Sequence, residues 1–94
     1  MEKRIKEILY SSRFAKSYQK IPLSIKNKAV KLEKVFKSNC FDKRLKTHKL
    51  AGKYKNYYSF SVSYSYRIVF EFYKNGVIFI DIGTHEIINK KGRQ

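Results

Sequence analysis

The sequence lacks what several classes of protein require. Cys40 is its only cysteine, which excludes an intrachain disulfide and a cysteine-based zinc site. No apolar run approaches the ~20 residues that a membrane-spanning helix needs. The opening residues, MEKRIKEILY, contain no apolar stretch of the kind found in secretory signals. We therefore expect a cytoplasmic protein that has no disulfide and does not cross a membrane.

Acidic residues are also scarce, at 7 against 22 lysines and arginines, which leaves a formal net charge of +15. The excess is concentrated in residues 1–58, which hold 17 basic and 4 acidic residues, whereas residues 59–94 hold 5 and 3. A pI near 10.0 in so small a chain indicates a polyanionic partner. Nucleic acid is the first candidate, followed by an acidic protein or an anionic membrane surface.

What the sequence does contain is material for a hydrophobic core. Apolar residues make up 43% of the chain and aromatic residues 16%, which excludes a disordered polyelectrolyte despite the charge. The 94 residues contain no internal repeat, low-complexity tract or linker, and so predict a single domain spanning 1–94. We expect the polar end of the chain, about 90–94, to be a disordered tail.

Two helices are predicted in the first half of the chain. The first begins after a capping serine at position 11 or 12 and runs to about Ile21, with Phe14 and Tyr18 on one face. Pro22 ends it and opens the next helix from its first turn. The second helix extends from Leu23 to about Lys37, because its apolar residues have amphipathic spacing. These are Ile25, Ala29, Leu32 and Phe36. Residues 4–10 fit either a helical stripe or a short first strand.

Three strands are predicted in the second half. Residues 57–62 and 66–72 alternate in polarity with a period of two, which is typical of half-buried strands. Asn75-Gly76 then favours a type I′ hairpin turn. The returning run, residues 77–82, is almost wholly apolar and indicates a strand buried on both faces.

Residues 38–55 are predicted to form a loop that is dense in positive charge around His48. The lysines of this loop and of the second helix either contact phosphates or form an ordinary solvated face. The loop lysines that we assign to RNA binding are Lys46, Lys49, Lys53 and Lys55.

Three sequence blocks in a particular order, LKTHKLAGK, YSFSVSYSYRIVF and DIGTH, resemble the RelE/ParE toxin superfamily of bacterial toxin-antitoxin systems. The resemblance extends from about Ile8 to Ile88 and is to the RelE/StbE and YafQ-like branch. It implies an α+β, RelE-like fold, in which two N-terminal helices pack on a small twisted, mainly antiparallel sheet. It also implies the toxin of a type II system, a ribosome-dependent mRNA endonuclease whose partners are mRNA on the ribosome, rRNA and a cognate antitoxin.

The resemblance implies a role for three residues of these blocks. His48 and His85 match functional histidines of YafQ-like toxins, and Arg67 matches an arginine that contacts the scissile phosphate in RelE-like toxins. Four positions depart from the pattern of relatives. Ser59 and Ser61 occupy strand positions where RelE proper carries lysines and the YafQ-like branch carries an acid and a histidine. Ser65 replaces an aspartate, and Asn89 stands where many relatives have an aromatic residue.

Two histidines and an arginine are sufficient for metal-independent RNA cleavage, in which the 2′-OH attacks the neighbouring phosphate. Imidazole can act as base or acid near neutral pH, because its unperturbed pKa is ~6.5. Guanidinium carries a permanent charge and binds two phosphate oxygens at once. Two histidines without a carboxylate cluster make a poor metal site, so we expect no metal or organic cofactor. Tyr66, adjacent to Arg67, is the predicted residue for stacking on a base.

Alternatives remain open at this level. The same fold could belong to a ParE-like toxin that inhibits a topoisomerase without nuclease activity, or to a catalytically weakened RNA- or ribosome-binding module. Arg67 and Glu71, four apart on one strand face, could form a simple surface pair. The sequence does not assign acid and base between His48 and His85. Charge predicts that an acidic or amphipathic antitoxin segment lies across the basic surface.

Overall fold

The computed structural model of the chain describes residues 2–51 and 56–84. A first strand leads into two helices, and a mostly β-structured second half follows. In chain order the elements are β1 (Ile8–Tyr10), α1 (Ser12–Lys20), α2 (Leu23–Ser38), a 3₁₀ turn (Lys43–Leu45), β2 (His48–Lys49), β3 (Tyr58–Ser61), β4 (Tyr66–Tyr73) and β5 (Gly76–Thr84). The predicted α+β class is confirmed, and no helix in this part of the chain is long and apolar enough to cross a membrane.

The strands form one sheet in the order β1-β5-β4-β3-β2. All neighbours are antiparallel except β1, which pairs parallel to β5. Of the ambiguous residues 4–10, the last three, Ile8–Tyr10, therefore form a strand and none forms a helix. The prediction of an uninterrupted loop over 38–55 is wrong, because Leu45 is buried in a 3₁₀ turn and β2 then pairs with β3.

The predicted face of the second helix forms the core. Phe36 is wholly buried, and its ring lies 4.8 Å from that of Phe60, 4.9 Å from Phe70 and 5.5 Å from Phe79, measured between centroids. One helical residue thus contacts three neighbouring strands at once. Because side chains alternate along a strand, the residues next to Phe60 in β3 and next to Phe70 in β4 lie on the opposite face of the sheet.

Ser11 joins β1, α1 and β5. Its hydroxyl oxygen accepts the backbone N–H of Phe14 at 3.0 Å, which caps α1, and the hydroxyl donates to the carbonyl of Ile80 at 2.8 Å. One of the two predicted capping serines is thereby identified. α2 begins at Leu23, as predicted, and Pro22 is its N-cap: the extended ψ of 150° directs the Pro22 carbonyl towards the N–H groups of the first turn.

The hairpin between β4 and β5 differs from the predicted type I′ turn at Asn75-Gly76. Tyr73 pairs with Gly76, so the two turn residues are Lys74 and Asn75. Only Lys74 has a positive φ, 54°, whereas a type I′ turn needs a positive φ at both turn residues. Gly76 has a different function: a Cβ placed on it would lie 2.1 Å from the backbone oxygen of Glu7, which passes directly beside it.

We predict that Gly76→Ala lowers the free energy of unfolding by about 1–3 kcal/mol. The backbone of Glu7, just before β1, must move away from β5 to make room for the methyl group. Chemical denaturation followed by circular dichroism measures the change. Asn75→Ala, in the same exposed turn, is the matched control and should change stability by less than about 0.5 kcal/mol. Equal effects of the two substitutions would contradict this account of Gly76.

Candidate functional site

The face of the sheet that points away from the helices carries a row of side chains from four strands. Residues that pair directly across antiparallel strands share a face. His48 pairs with Ser59, Ser59 with Val69, and Val69 with Asp81. In the next row, Ser61 pairs with Arg67, and Arg67 with Gly83. The structure therefore places His48 and Arg67 on one face, which we call the polar face and define by these two rows.

Arg67 lies on the polar face and has no carboxylate partner among residues 2–51 and 56–84. Its Nη1 lies 3.5 Å from the hydroxyl oxygen of Ser59, a long and weak contact that orients the guanidinium without neutralising it. The two ion pairs within residues 2–51 and 56–84 are Arg13 with Asp81 and Arg44 with Asp42.

The surface pair of Arg67 with Glu71 is accordingly not formed. Both residues are described, and no ion pair joins them; their Cα atoms, four strand residues apart, are separated by ~13 Å. Of the acids in the described part of the chain, Asp81 is the nearest on the polar face; it is buried, and its Oδ2 lies 3.4 Å from Arg13 Nε. The charge of Arg67 therefore remains available to an anion.

The basic loop before β2 is fixed in place by its backbone and its apolar residues. Cys40 and Leu45 are buried in the core, and the hydroxyl of Thr47 donates to the carbonyl of Cys40 at 2.6 Å. Asp42 accepts hydrogen bonds from the backbone N–H and the guanidinium of Arg44, each at 2.9 Å. These bonds lower the pKa of the Asp42 carboxyl to about 2. The loop thus presents Arg44 in a defined orientation.

The surroundings of His48 indicate which ring nitrogen carries the proton. Its Nδ1 lies 3.2 Å from the carbonyl oxygen of Lys46, and a carbonyl can only accept. Nδ1 must then donate, so Nε2 of the neutral ring is free to accept a proton. The side chain of His48 is exposed, which leaves this nitrogen accessible.

A cavity of about 410 Å³ opens beside Arg67, at the end of the sheet where β3 turns into β4. β2 pairs with Tyr58 and Ser59, and the cavity lies beyond that pairing, next to Ser61. Four cations from separate parts of the chain line this cationic cavity: Lys28, Arg44, Lys46 and Arg67. Ser61, Ser63 and Tyr64 add polar groups.

Not all predicted site residues lie together. Lys46 lines the cationic cavity with Arg67, whereas Lys49 pairs with Tyr58 and so shares the other face of the sheet. Tyr66 likewise lies on the side opposite Arg67, half-buried against the core. Three predicted residues lie outside the described part of the chain. These are His85, Lys53 and Lys55.

Sequence reasoning left Lys28, Arg44 and Tyr64 out of the site. Lys28 and Arg44 could not be distinguished from the many other cations of the helix and loop, because their convergence depends on how α2 packs on the sheet. Tyr64 had a local signal that was not used, since it is an aromatic residue between two serines at the predicted end of one strand and the start of the next.

A second cavity, of about 420 Å³, lies between α1 and α2 and is mainly apolar. At its edge the hydroxyl of Tyr10 donates to the carboxylate of Glu33, and burial together with this carboxylate raises the pKa of the tyrosine. Within the described ranges, no three His, Cys, Asp or Glu side chains are grouped to hold a metal ion. The polar face and the cationic cavity together therefore form the candidate site.

Comparisons with known proteins agree with this fold. YafQ from E. coli strain BL21(DE3) is 22% identical, with a TM-score of 0.71, over 88% of this chain and 97% of that chain. The YoeB/ParE toxin from Agrobacterium tumefaciens is 18% identical, with a TM-score of 0.73, over 85% and 99%. A chain of the RelB-RelE antitoxin-toxin complex from Methanococcus jannaschii is 28% identical, with a TM-score of 0.69, over 88% and 96%.

A search of the curated proteins found no match. The family model of the ParE-like toxin domain, however, matches residues 23–90, which is more than half of the chain. The resemblance to the RelE/ParE superfamily is confirmed by this match and by the solved structures. The chain therefore belongs to the ParE-like toxin domain family of that superfamily.

Proposed function

We propose that this toxin is a metal-independent endoribonuclease that cleaves mRNA on the ribosome in the cytoplasm. The observation that carries the proposal is the placement of His48 and Arg67 on one sheet face, beside the cationic cavity, with no ion pair to Arg67 in the described ranges. A proton acceptor, a phosphate clamp and a path for a polyanion are the parts that such a reaction requires.

In the proposed reaction, Nε2 of His48 removes the proton of a 2′-OH, and the resulting oxygen attacks the adjacent phosphorus. The bond to the 5′ oxygen breaks, and His85, in its protonated form, donates a proton to that leaving oxygen. The products are a 2′,3′-cyclic phosphate and a 5′-OH. The hydrogen bond from Nδ1 to the carbonyl of Lys46 supports His48 as the base, since it leaves Nε2 unprotonated in the neutral ring.

Arg67 stabilises the additional negative charge that forms on the phosphate oxygens. β2 and β4 are two strand spacings apart, and Arg67 is two residues along β4 from the residue that lies opposite His48, Val69. The Cα atoms of His48 and Arg67 are therefore separated by roughly 12 Å. A phosphate between the two side chains is within reach of the long guanidinium and of the imidazole. Ser59 lies between them and orients Arg67, which gives the serine a positioning role where relatives carry charged residues.

The cationic cavity holds the RNA backbone next to the reacting phosphate. Lys28, Arg44 and Lys46 converge there from α2 and from the basic loop. Contacts with phosphate oxygens fix the position and direction of a strand without reading its sequence. The cavity therefore supports substrate placement, and the chemistry belongs to the polar face.

Replacing Arg67 by Ala should slow mRNA cleavage at least about 100-fold, because one preorganised donor to a transition-state oxyanion is worth that much. Arg67→Lys should retain part of the rate, since it keeps the charge and loses the two-pronged geometry. The assay is cleavage by purified protein in a translation system, with and without ribosomes and with a metal chelator in the ribosome-free reaction.

Arg4→Ala is the matched control: it removes an equal charge from an exposed site near the opposite end of the sheet and should leave the rate nearly unchanged. Similar losses of cleavage rate in Arg67→Ala and Arg4→Ala would indicate a general charge effect and contradict the proposed role of Arg67. Thermal unfolding of each variant checks that the fold is retained.

A second function is favoured by one observation, the description of the matching family as ParE-like toxins. A ParE-like toxin would inhibit a topoisomerase by protein contact and would need neither Arg67 nor a histidine for chemistry. Growth inhibition that survives the double substitution of Arg67→Ala with His85→Ala would favour this function over cleavage.

A cognate antitoxin is the protein partner that we propose. The related RelE chain is part of an antitoxin-toxin complex, and the present chain carries a formal charge of +15. Most of that charge is free of intramolecular pairing, since the part of the chain that the structure describes contains two ion pairs. An acidic or amphipathic segment laid over the cationic cavity would neutralise it and exclude RNA.

We predict that the affinity for the cognate antitoxin falls roughly tenfold or more between about 50 and 500 mM salt, because screening weakens an electrostatic interface. Titration calorimetry at both salt concentrations measures the fall. The pair Lys28→Gln with Lys46→Gln should flatten the salt dependence, and Lys74→Gln, outside the cavity, should not. An affinity independent of salt would exclude this kind of interface.

A further inference from the structure

Tyr64 is the most exposed large hydrophobic residue in the described chain. It is fully exposed, compared with 46% for Tyr73, the exposed tyrosine at the other hairpin. Within residues 2–51 and 56–84, the aromatic and cation-π contacts include Tyr73 with Lys74 but none with Tyr64. An aromatic ring that is fully exposed does not stabilise the fold by packing, and it offers a flat apolar surface to a ligand.

The connection that carries Tyr64 has a fixed shape. The backbone N–H of Val62 donates to the carbonyl of Tyr66 at 2.9 Å, and that of Ser63 donates to the same carbonyl at 3.3 Å. The hydroxyl oxygen of Ser63 in turn accepts the backbone N–H groups of Ser65 and Tyr66, at 3.3 and 3.2 Å. A turn closed by side-chain and backbone bonds fixes the backbone from which the ring projects, which lowers the entropic cost of ordering this segment on binding.

The ring stands at the edge of the cationic cavity. Tyr64 and Arg67 line that cavity together, and they are three positions apart in the chain, so their Cα atoms lie within about 10 Å. Lys28 and Lys46 line other parts of it. A flat aromatic surface beside several cations is the combination that proteins use to bind single-stranded nucleic acid, since the cations contact phosphates and the ring stacks on a base.

We propose that Tyr64 stacks on an unpaired base of the RNA strand whose phosphate Arg67 holds, so that the site takes RNA that is single-stranded at the point of cleavage. The proposal rests on the proposed function of the polar face. A base inside a duplex is stacked on both sides and cannot offer its face to the ring, whereas an unpaired base can. Tyr64 therefore selects strandedness, and Arg67 provides the chemistry.

The chain contains no tryptophan, so a single introduced tryptophan reports on one position. Tyr64→Trp should lose a large part of its fluorescence when a short single-stranded 2′-O-methyl RNA is added, because the stacked base quenches the indole. Tyr73→Trp is the matched control at the far hairpin and should change little. The probe lacks the attacking hydroxyl and is not cleaved, so binding is measured apart from chemistry.

Two further probes separate stacking from charge. An abasic oligomer with the same backbone should bind without quenching Tyr64→Trp, and the duplex form of the RNA should quench weakly. In direct binding, Tyr64→Ala should weaken affinity for the single strand about 5- to 100-fold, while Tyr64→Phe should stay close to the wild type.

Equal quenching of the two tryptophan variants, or equal quenching by the abasic oligomer, would overturn the proposal. So would quenching of Tyr64→Trp by an acidic peptide but not by the RNA, which would make this edge a protein-docking site. The fluorescence result and the cleavage result are separate. Quenching of Tyr64→Trp without RNA cleavage by the wild type would support stacking and reject the nuclease. Cleavage without quenching would support the nuclease and reject stacking.

Discussion

The packing of Phe36 against three adjacent strands is the constraint on which the rest of the structure depends. Once Phe60 and Phe70 face α2, the period of two along β3 and β4 assigns the residues next to them to the other side. Ser59 and Arg67 reach the polar face by this route. In β5 a register shift opposite Val69 and Phe70 interrupts this period, so that Asp81 lies on the polar face although it is two residues after Phe79. The core and the candidate site are thus two consequences of one register, and a slip of one residue would exchange them.

Electrostatics then distinguish the site from the rest of a highly basic surface. Asp42 and Asp81 are occupied by Arg44 and Arg13, so the guanidinium of Arg67 has a hydroxyl rather than a carboxylate beside it. The buried Leu45 holds the loop cations near that guanidinium. Arg44 is partnered by Asp42, but Lys28, Lys46 and Arg67 converge there with no ion pair among the described residues. Their mutual repulsion destabilises the free protein, and a bound polyanion relieves it.

The sequence predicted the features that periodicity encodes. The apolar stripe of α2, the last three strands and the placement of Arg67 opposite the core residues all follow from spacings of three to four or of two. A two-residue strand has no period to detect, so β2 was missed. The turn residues were misassigned because Gly76 is required by the passing backbone of Glu7 rather than by a positive φ. Tyr66 was predicted to stack on a base because it is adjacent to Arg67, although adjacent strand residues face opposite ways.

The central claim is that the polar face cleaves RNA with His48 as the base. The most direct test is the pH dependence of kcat/KM for RNA cleavage, compared between the wild type and His48→Ala. The account predicts a bell-shaped profile for the wild type, and for the variant a rate lower by about 100-fold or more together with loss of the limb that rises from acidic pH. A variant that keeps this limb at the same midpoint would contradict the assignment of His48 as the base.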